Sequence, residues 1–144
     1  MRAHVTLQLL RANRHRFSRA VVHSFDGTAE ELAAVLELND VWVGVNGCSL
    51  KTEENVAVAA SIPIDRLVIE TDAPWCGVRP THAASKHVVT VFKDKKPKKY
   101  VQGLQVKGRN EPCNIRSASC ALRVPVLQAL PTSGSIVSCG QASR

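Results

Sequence analysis

Apolar positions along this chain alternate between two rhythms. Ala20-Val21-Val22-His23-Ser24-Phe25 is a short β-branched run closed by Asp26-Gly27, a strong turn signal, and reads as a strand. Thr28-Ala29-Glu30-Glu31 has capping-box spacing, and Leu32, Val35 and Leu36 then form one helical face. Asp40 leads into Val41-Trp42-Val43-Gly44-Val45-Asn46-Gly47, a second strand ending in a turn. Thr52-Glu53-Glu54 opens a further helix with acids in its first turn, Val56, Ala59 and Ala60 face inward, and Pro63 closes the unit. Leu67-Val68-Ile69 follows as a strand expected to be buried on both faces, and pairing stops where Pro74 forces Ala73 into an extended conformation. Ahead of all this, residues 4–16 place Val5, Leu9 and Ala12 on one face of a helix that stops near Asn13. Helices and strands thus alternate three times with short loops, which predicts an α/β fold of right-handed βαβ units in a parallel sheet.

The remainder is less regular. Residues 73–112 hold no long periodic segment, and Ala83 to Phe92 reads equally as helix or strand. Residues 117–144 are free of acids and broken by Pro125 and Pro131, and are expected to be a poorly ordered tail. At 144 residues with 44% hydrophobic content the chain can build a core, although three strands with two crossovers form an incomplete sheet. No apolar run approaches the ~20 residues of a membrane span, so no membrane association is expected. Residues 1–20 lack a signal-peptide pattern, so an intracellular site of action, nucleus or cytoplasm, is expected. Cys48, Cys76, Cys113, Cys120 and Cys139 form an odd set without a C-x-x-C pair, which speaks against a disulfide framework or a thiolate zinc site. The net charge of +7 is uneven: Lys86 to Arg109 holds eight basic residues against the single acid Asp94. That run is either a solvated loop or a contact for a polyanion such as nucleic acid, and it carries only Phe92 and Tyr100 as aromatics.

Chemistry enters at two strand ends. Parallel strands finish on one rim, where ligands and catalytic groups collect in α/β folds. His23 ends the first strand and Glu70 and Asp72 end the third. An imidazole and a carboxylate on one rim suit a divalent ion such as Zn²⁺ or Mn²⁺. Asp72 capping the turn before Pro74 is the competing reading, and two groups alone do not hold a catalytic metal.

Four stretches carry a resemblance: Val22-His23-Ser24-Phe25-Asp26-Gly27; Asn46-Gly47-Cys48-Ser49-Leu50-Lys51-Thr52; Ile69-Glu70-Thr71-Asp72-Ala73-Pro74-Trp75-Cys76-Gly77-Val78; and Arg109-Asn110-Glu111-Pro112. Together they closely resemble the TatD-type metal-dependent deoxyribonucleases, in the form seen in their eukaryotic branch, from about residue 4 to residue 116. The resemblance implies the C-terminal part of a TIM-like (β/α)8 barrel of the amidohydrolase type, with residues 1–116 a partial barrel and 117–144 divergent. It implies hydrolysis of DNA with one or two divalent ions (Mg²⁺, Mn²⁺ or Zn²⁺), and no protein partner is predicted. His23 and Asp72 are then the metal ligands, with Asp72 orienting or deprotonating water and Glu70 assisting it. Arg109, Asn110 and Glu111 match a loop near the substrate, and His82 lies in a loop region that could approach it. The family's His-x-His strand, its glutamate and its further histidine have no counterpart here and are expected upstream of Met1. A truncated form that is inactive, or that only binds nucleic acid through Lys86 to Arg109, is the alternative.

Overall fold

The computed structural model describes residues 2–129. The first helix, α1 (Arg2–Ala12), ends as expected at Asn13, whose side chain and backbone both return to the Leu9 carbonyl. Its inward face differs from the expected one. Val5 and Leu9 are exposed while Leu7 is buried and Leu10 packs against the core. The three positions chosen from spacing share a face, but it is the face turned to solvent. The arginines hid the alternative stripe because α1 has little amphipathic contrast.

Three strands follow, each preceded by a helix: β1 (Ala20–Val22), α2 (Ala29–Leu36), β2 (Val41–Val45), α3 (Glu53–Ala60) and β3 (Leu67–Ile69). The strands pair in parallel in the order β1-β2-β3, with Val22 beside Val43 and Val45 beside Ile69. Local chemistry places both connecting helices. Thr28 accepts from the Glu31 amide at 3.3 Å while the Glu31 carboxylate accepts from the Thr28 amide at 3.0 Å, so two otherwise unpaired donors at the start of α2 are satisfied. Thr52 caps α3 by accepting from the Asn55 amide at 3.1 Å.

The core sits on β2. Val41, Val43 and Val45 are completely buried, and Leu32, Val35, Leu50, Val56 and Ala59 close over them. Leu67, Val68 and Ile69 are only half-buried, contrary to the expectation that β3 is covered on both faces. Among the described residues β3 has a single strand neighbour, so it is an edge, and an edge strand leaves part of its surface open whatever its hydrophobicity. Ala83–His87, where the sequence left helix and strand open, forms a 3₁₀ turn. A short parallel pair, β4 (Asp94–Lys95) with β5 (Gln105–Val106), gives the basic segment a frame that its composition does not announce.

The expected disorder beyond residue 116 is corrected for part of its length. Ile115–Ala129 is a helix, α4, that packs against α3 and the 83–87 turn and buries Ala118, Ala121 and Leu122. Those three positions have helical spacing, i, i+3, i+4. Two of them are alanines, which contribute little to a hydrophobic pattern, and Pro125 reads as a breaker although it lies inside the helix. Residues 130–144 of that expectation lie outside the described residues.

Candidate metal centre

Each strand of the sheet ends on the same rim, and the chain puts a polar group there each time. After β1 the backbone passes through His23 into Ser24, which takes the left-handed region at φ 53°. After β2 comes Asn46, completely buried. After β3 come Glu70 and Asp72, with Asp72 also left-handed at φ 52°. Bulky residues adopt that region rarely, and two such residues facing each other mark a locally constrained rim.

These side chains converge. The His23 imidazole stands between two carboxylates, Nδ1 at 2.8 Å from Glu70 Oε2 and Nε2 at 3.1 Å from Asp72 Oδ2. Ser24 Oγ donates to Asp72 Oδ2 at 2.8 Å, and the Ser24 amide donates to Glu70 Oε2 at 3.2 Å. Asn46 Nδ2 donates to the same Asp72 oxygen at 2.8 Å and to Ser24 Oγ. The other end of the Asn46 amide is equally occupied: Oδ1 accepts from the Cys48 amide at 2.8 Å and from the Ser49 amide at 3.2 Å. Asn46 therefore ties the turn after β2 to the carboxylate after β3. Asp72 Oδ2 takes three contacts, while no contact is seen at Oδ1 among the described residues.

Two close backbone approaches let the rims meet. A Cβ on Gly44 would collide with Glu70 Oε1, and one on Gly47 with the Cys76 carbonyl oxygen. The turn after β2 has no room for a side chain at Gly47, while one at Gly44 would displace the Glu70 carboxylate.

Hydrogen bonding to Glu70 is the main reason that the His23 imidazole is held above its ordinary pKa of 6.5. The negative charge of Glu70 and Asp72 and the bond to Asp72 add to this, and partial desolvation opposes it. A histidine whose folded pKa exceeds its unfolded one stabilises the fold fully below about pH 6.5, and that contribution is lost as pH rises through the folded value. The metal-free chain is accordingly expected to lose stability above about pH 6.5, and His23→Gln to flatten the decline. Urea midpoints measured across this range in chelator test it; an unchanged slope in the variant assigns the titration elsewhere.

The remaining predicted site residues divide. Glu70 does join Asp72, the two flanking the His23 imidazole just beyond the end of β3 at Ile69. Arg109 is exposed on a cleft of about 1120 Å³ beside the cluster and pairs with Glu111 at 2.8 Å. Asn110 is 7% exposed and committed to structure. Its Nδ2 donates to the Thr71 carbonyl at 2.7 Å, its amide to the Pro74 carbonyl at 2.9 Å, and its Oδ1 accepts from Asn114. Asn110 thus holds the loop after β3 and also lines that cleft. His82 is buried, its Nδ1 has no partner among the described residues, and burial lowers its pKa while a hydrogen bond with the Gly47 backbone opposes the shift. Burial pushes the neighbouring Cys76 thiol up to about 12, helped by Cys48 and the charge of Asp72, so it stands as a packed thiol.

Ser24 and Asn46 were missed by sequence reading. Asn46 followed by Gly47 looked like a turn, and nothing local distinguishes a turn asparagine from one whose amide bridges two strand ends.

A parallel sheet whose rim gathers an imidazole and two carboxylates, all with ligand atoms within 4.8 Å of one another, offers a donor set that could hold a divalent metal ion. Residues 2–120 match the family model described as TatD related DNase, and the chain belongs to that family. It is 48% identical over 98 residues to the Schizosaccharomyces pombe deoxyribonuclease Tat-D, an alignment covering 67% of this chain and 31% of that protein. A crystal structure of a TatD-family hydrolase from Entamoeba histolytica superposes with TM-score 0.77 at 37% identity, covering 83% of this chain and 40% of the other. An amidohydrolase structure from Saccharomyces cerevisiae gives 0.69 at 40% identity, covering 75% and 34%. The α/β arrangement is therefore shared with TatD-family and amidohydrolase structures, and its parallel sheet is compatible with part of a TIM-like barrel of that type. The chain spans about a third of the length of the curated relatives it matches.

Proposed function

We propose that this protein acts in metal-dependent hydrolysis of DNA phosphodiester bonds, at an intracellular site, with His23, Glu70 and Asp72 as its share of the metal ligands. The observation that carries the proposal is the single imidazole clasped between two carboxylates at the ends of β1 and β3. One nitrogen and two oxygen donors of this kind suit Mn²⁺, Zn²⁺ or Mg²⁺, and a donor set of three leaves positions open for water and substrate. When bound, such an ion supplies Lewis-acid polarisation of a phosphoryl oxygen and lowers the pKa of water to about 7.

The chain's own groups then have definite tasks. Ser24 and Asn46 hold Asp72 through Oδ2, which leaves Oδ1 to accept a hydrogen bond or a proton from the attacking water. Glu70 fixes the ring of His23 from the Nδ1 side, so its orientation is set before any ligand arrives. Arg109, with Arg79 and Lys107 on the cleft beside them, supplies cations to meet the phosphate backbone.

Metal binding by the chain is the direct readout. Titration with Mn²⁺ is expected to show a site that EDTA empties, with protons released as pH falls toward the raised pKa of His23. Hydrolysis of a labelled oligonucleotide is expected to follow that occupancy. Nuclease activity that survives EDTA would reject the assigned chemistry, as would a Mn²⁺ isotherm identical in His23→Ala.

A further inference from the structure

The basic segment reads in sequence as poor in aromatics, and in space that changes. The cleft beside the metal cluster is lined by Glu70, Trp75, Arg79, Phe92, Lys107 and Arg109, so it combines cations with two aromatic rings contributed from distant parts of the chain. Trp75 is 75% exposed. Yet its backbone is firmly held: its amide donates to the Asp72 carbonyl at 2.7 Å, and the residue before it accepts from the Asn110 amide at 2.9 Å. An indole in water on a braced turn, three positions from Asp72, has a cost in exposed apolar surface that a ligand face would relieve. By contrast Trp42 is spent structurally, its indole N–H donating to the Asp65 carbonyl. Lys93, Lys95, Lys96, Lys98, Lys99 and Lys107 have no ion pair among the described residues, whereas Lys86 and Arg109 at the ends of the segment do.

We infer that Trp75 is a stacking platform for a nucleobase adjacent to the scissile phosphate, in a single-stranded nucleic acid whose backbone runs along the basic segment. This rests on the phosphodiester reading of the neighbouring cluster and extends it to a base-binding subsite. A stacked base must be splayed out of any duplex, so the platform selects single strands, and it tolerates any sequence because every base has an aromatic face.

The test uses the 144-residue chain in EDTA, so that neither metal nor cleavage contributes. Binding of fluorescein-labelled octathymidylate is compared with binding of the same oligomer carrying abasic residues. Wild type is expected to prefer the base-bearing strand by about 5- to 100-fold, and Trp75→Leu to abolish the preference while binding the abasic strand unchanged. Trp75→Phe is expected to keep most of it. Circular dichroism of both variants should match wild type, because the side chain is exposed. Equal binding of the two oligomers by wild type, no binding of either, or a preference that persists in Trp75→Leu overturns the inference. Base preference without metal-dependent hydrolysis supports the platform and counts only against the hydrolytic reading.

Discussion

Replacing Asp72 by Asn is expected to leave the chain folded and to weaken Mn²⁺ binding by more than about 10- to 100-fold, the loss usual when a mere supporting partner of a metal ligand is removed. The amide oxygen can occupy the place of Oδ2 and keep the bonds from Ser24 and Asn46, so the turn after β3 keeps its partners. What disappears is the negative charge and, with it, the proton acceptor at Oδ1. Metal-dependent hydrolysis is expected to fall by at least about 100-fold, since a positioned acid–base group contributes about 10²–10⁴. Calorimetric titration with Mn²⁺ together with urea unfolding separates the two effects. An unchanged Mn²⁺ affinity in this variant would remove Asp72 from the ligand set.

The second large effect is expected at Asn46. Asn46→Ala strips a fully buried residue of five side-chain contacts at once: its Nδ2 donates to Asp72 and Ser24, and its Oδ1 accepts from the Cys48 amide, the Ser49 amide and Ser49 Oγ. Leaving buried polar groups without partners costs roughly 1–3 kcal/mol each, and with partial relaxation the expected loss of stability is about 2–4 kcal/mol. Asn46→Asp makes the reading specific. It retains the acceptor for the two amides, yet sets a carboxylate against Asp72 Oδ2 where the amide donated at 2.8 Å. Like charges so placed cannot both ionise freely, so this variant should regain stability as pH falls. Urea denaturation at neutral and mildly acidic pH checks both. A loss below about 1 kcal/mol in Asn46→Ala would mean that water replaces its bonds and that it is no hub.

The two predictions share a cause: the site depends on groups that hold the ligands as much as on the ligands. Asp72 Oδ2 is engaged from β1 through Ser24 and His23 and from β2 through Asn46, so three successive strand ends are joined at one oxygen. The glycine at position 47 is part of the same device, because any side chain there would press the β2 turn away from the Cys76 carbonyl.

Residue order alone specified what depends on neighbours in the chain. The capping box at Thr28, the cap at Thr52, the strand at Val41–Val45 and the α/β alternation are set by bonds spanning three or four residues and by side-chain periodicity, and both leave a mark in the letters. His23 and Asp72 were legible as rim residues for the same reason: each follows a short hydrophobic strand, and parallel strands end on one side. Which face of α1 turns inward, whether β3 is covered, and how far α4 extends were decided by packing partners elsewhere in the fold. So were the bridge made by Asn46, the burial of His82 and Asn110, and the meeting of Trp75 with the basic segment. A contact across twenty-six residues, as between Asn46 and Asp72, depends on how the strands register, and no local rhythm encodes that. Only the folded chain brings those atoms within reach of one another.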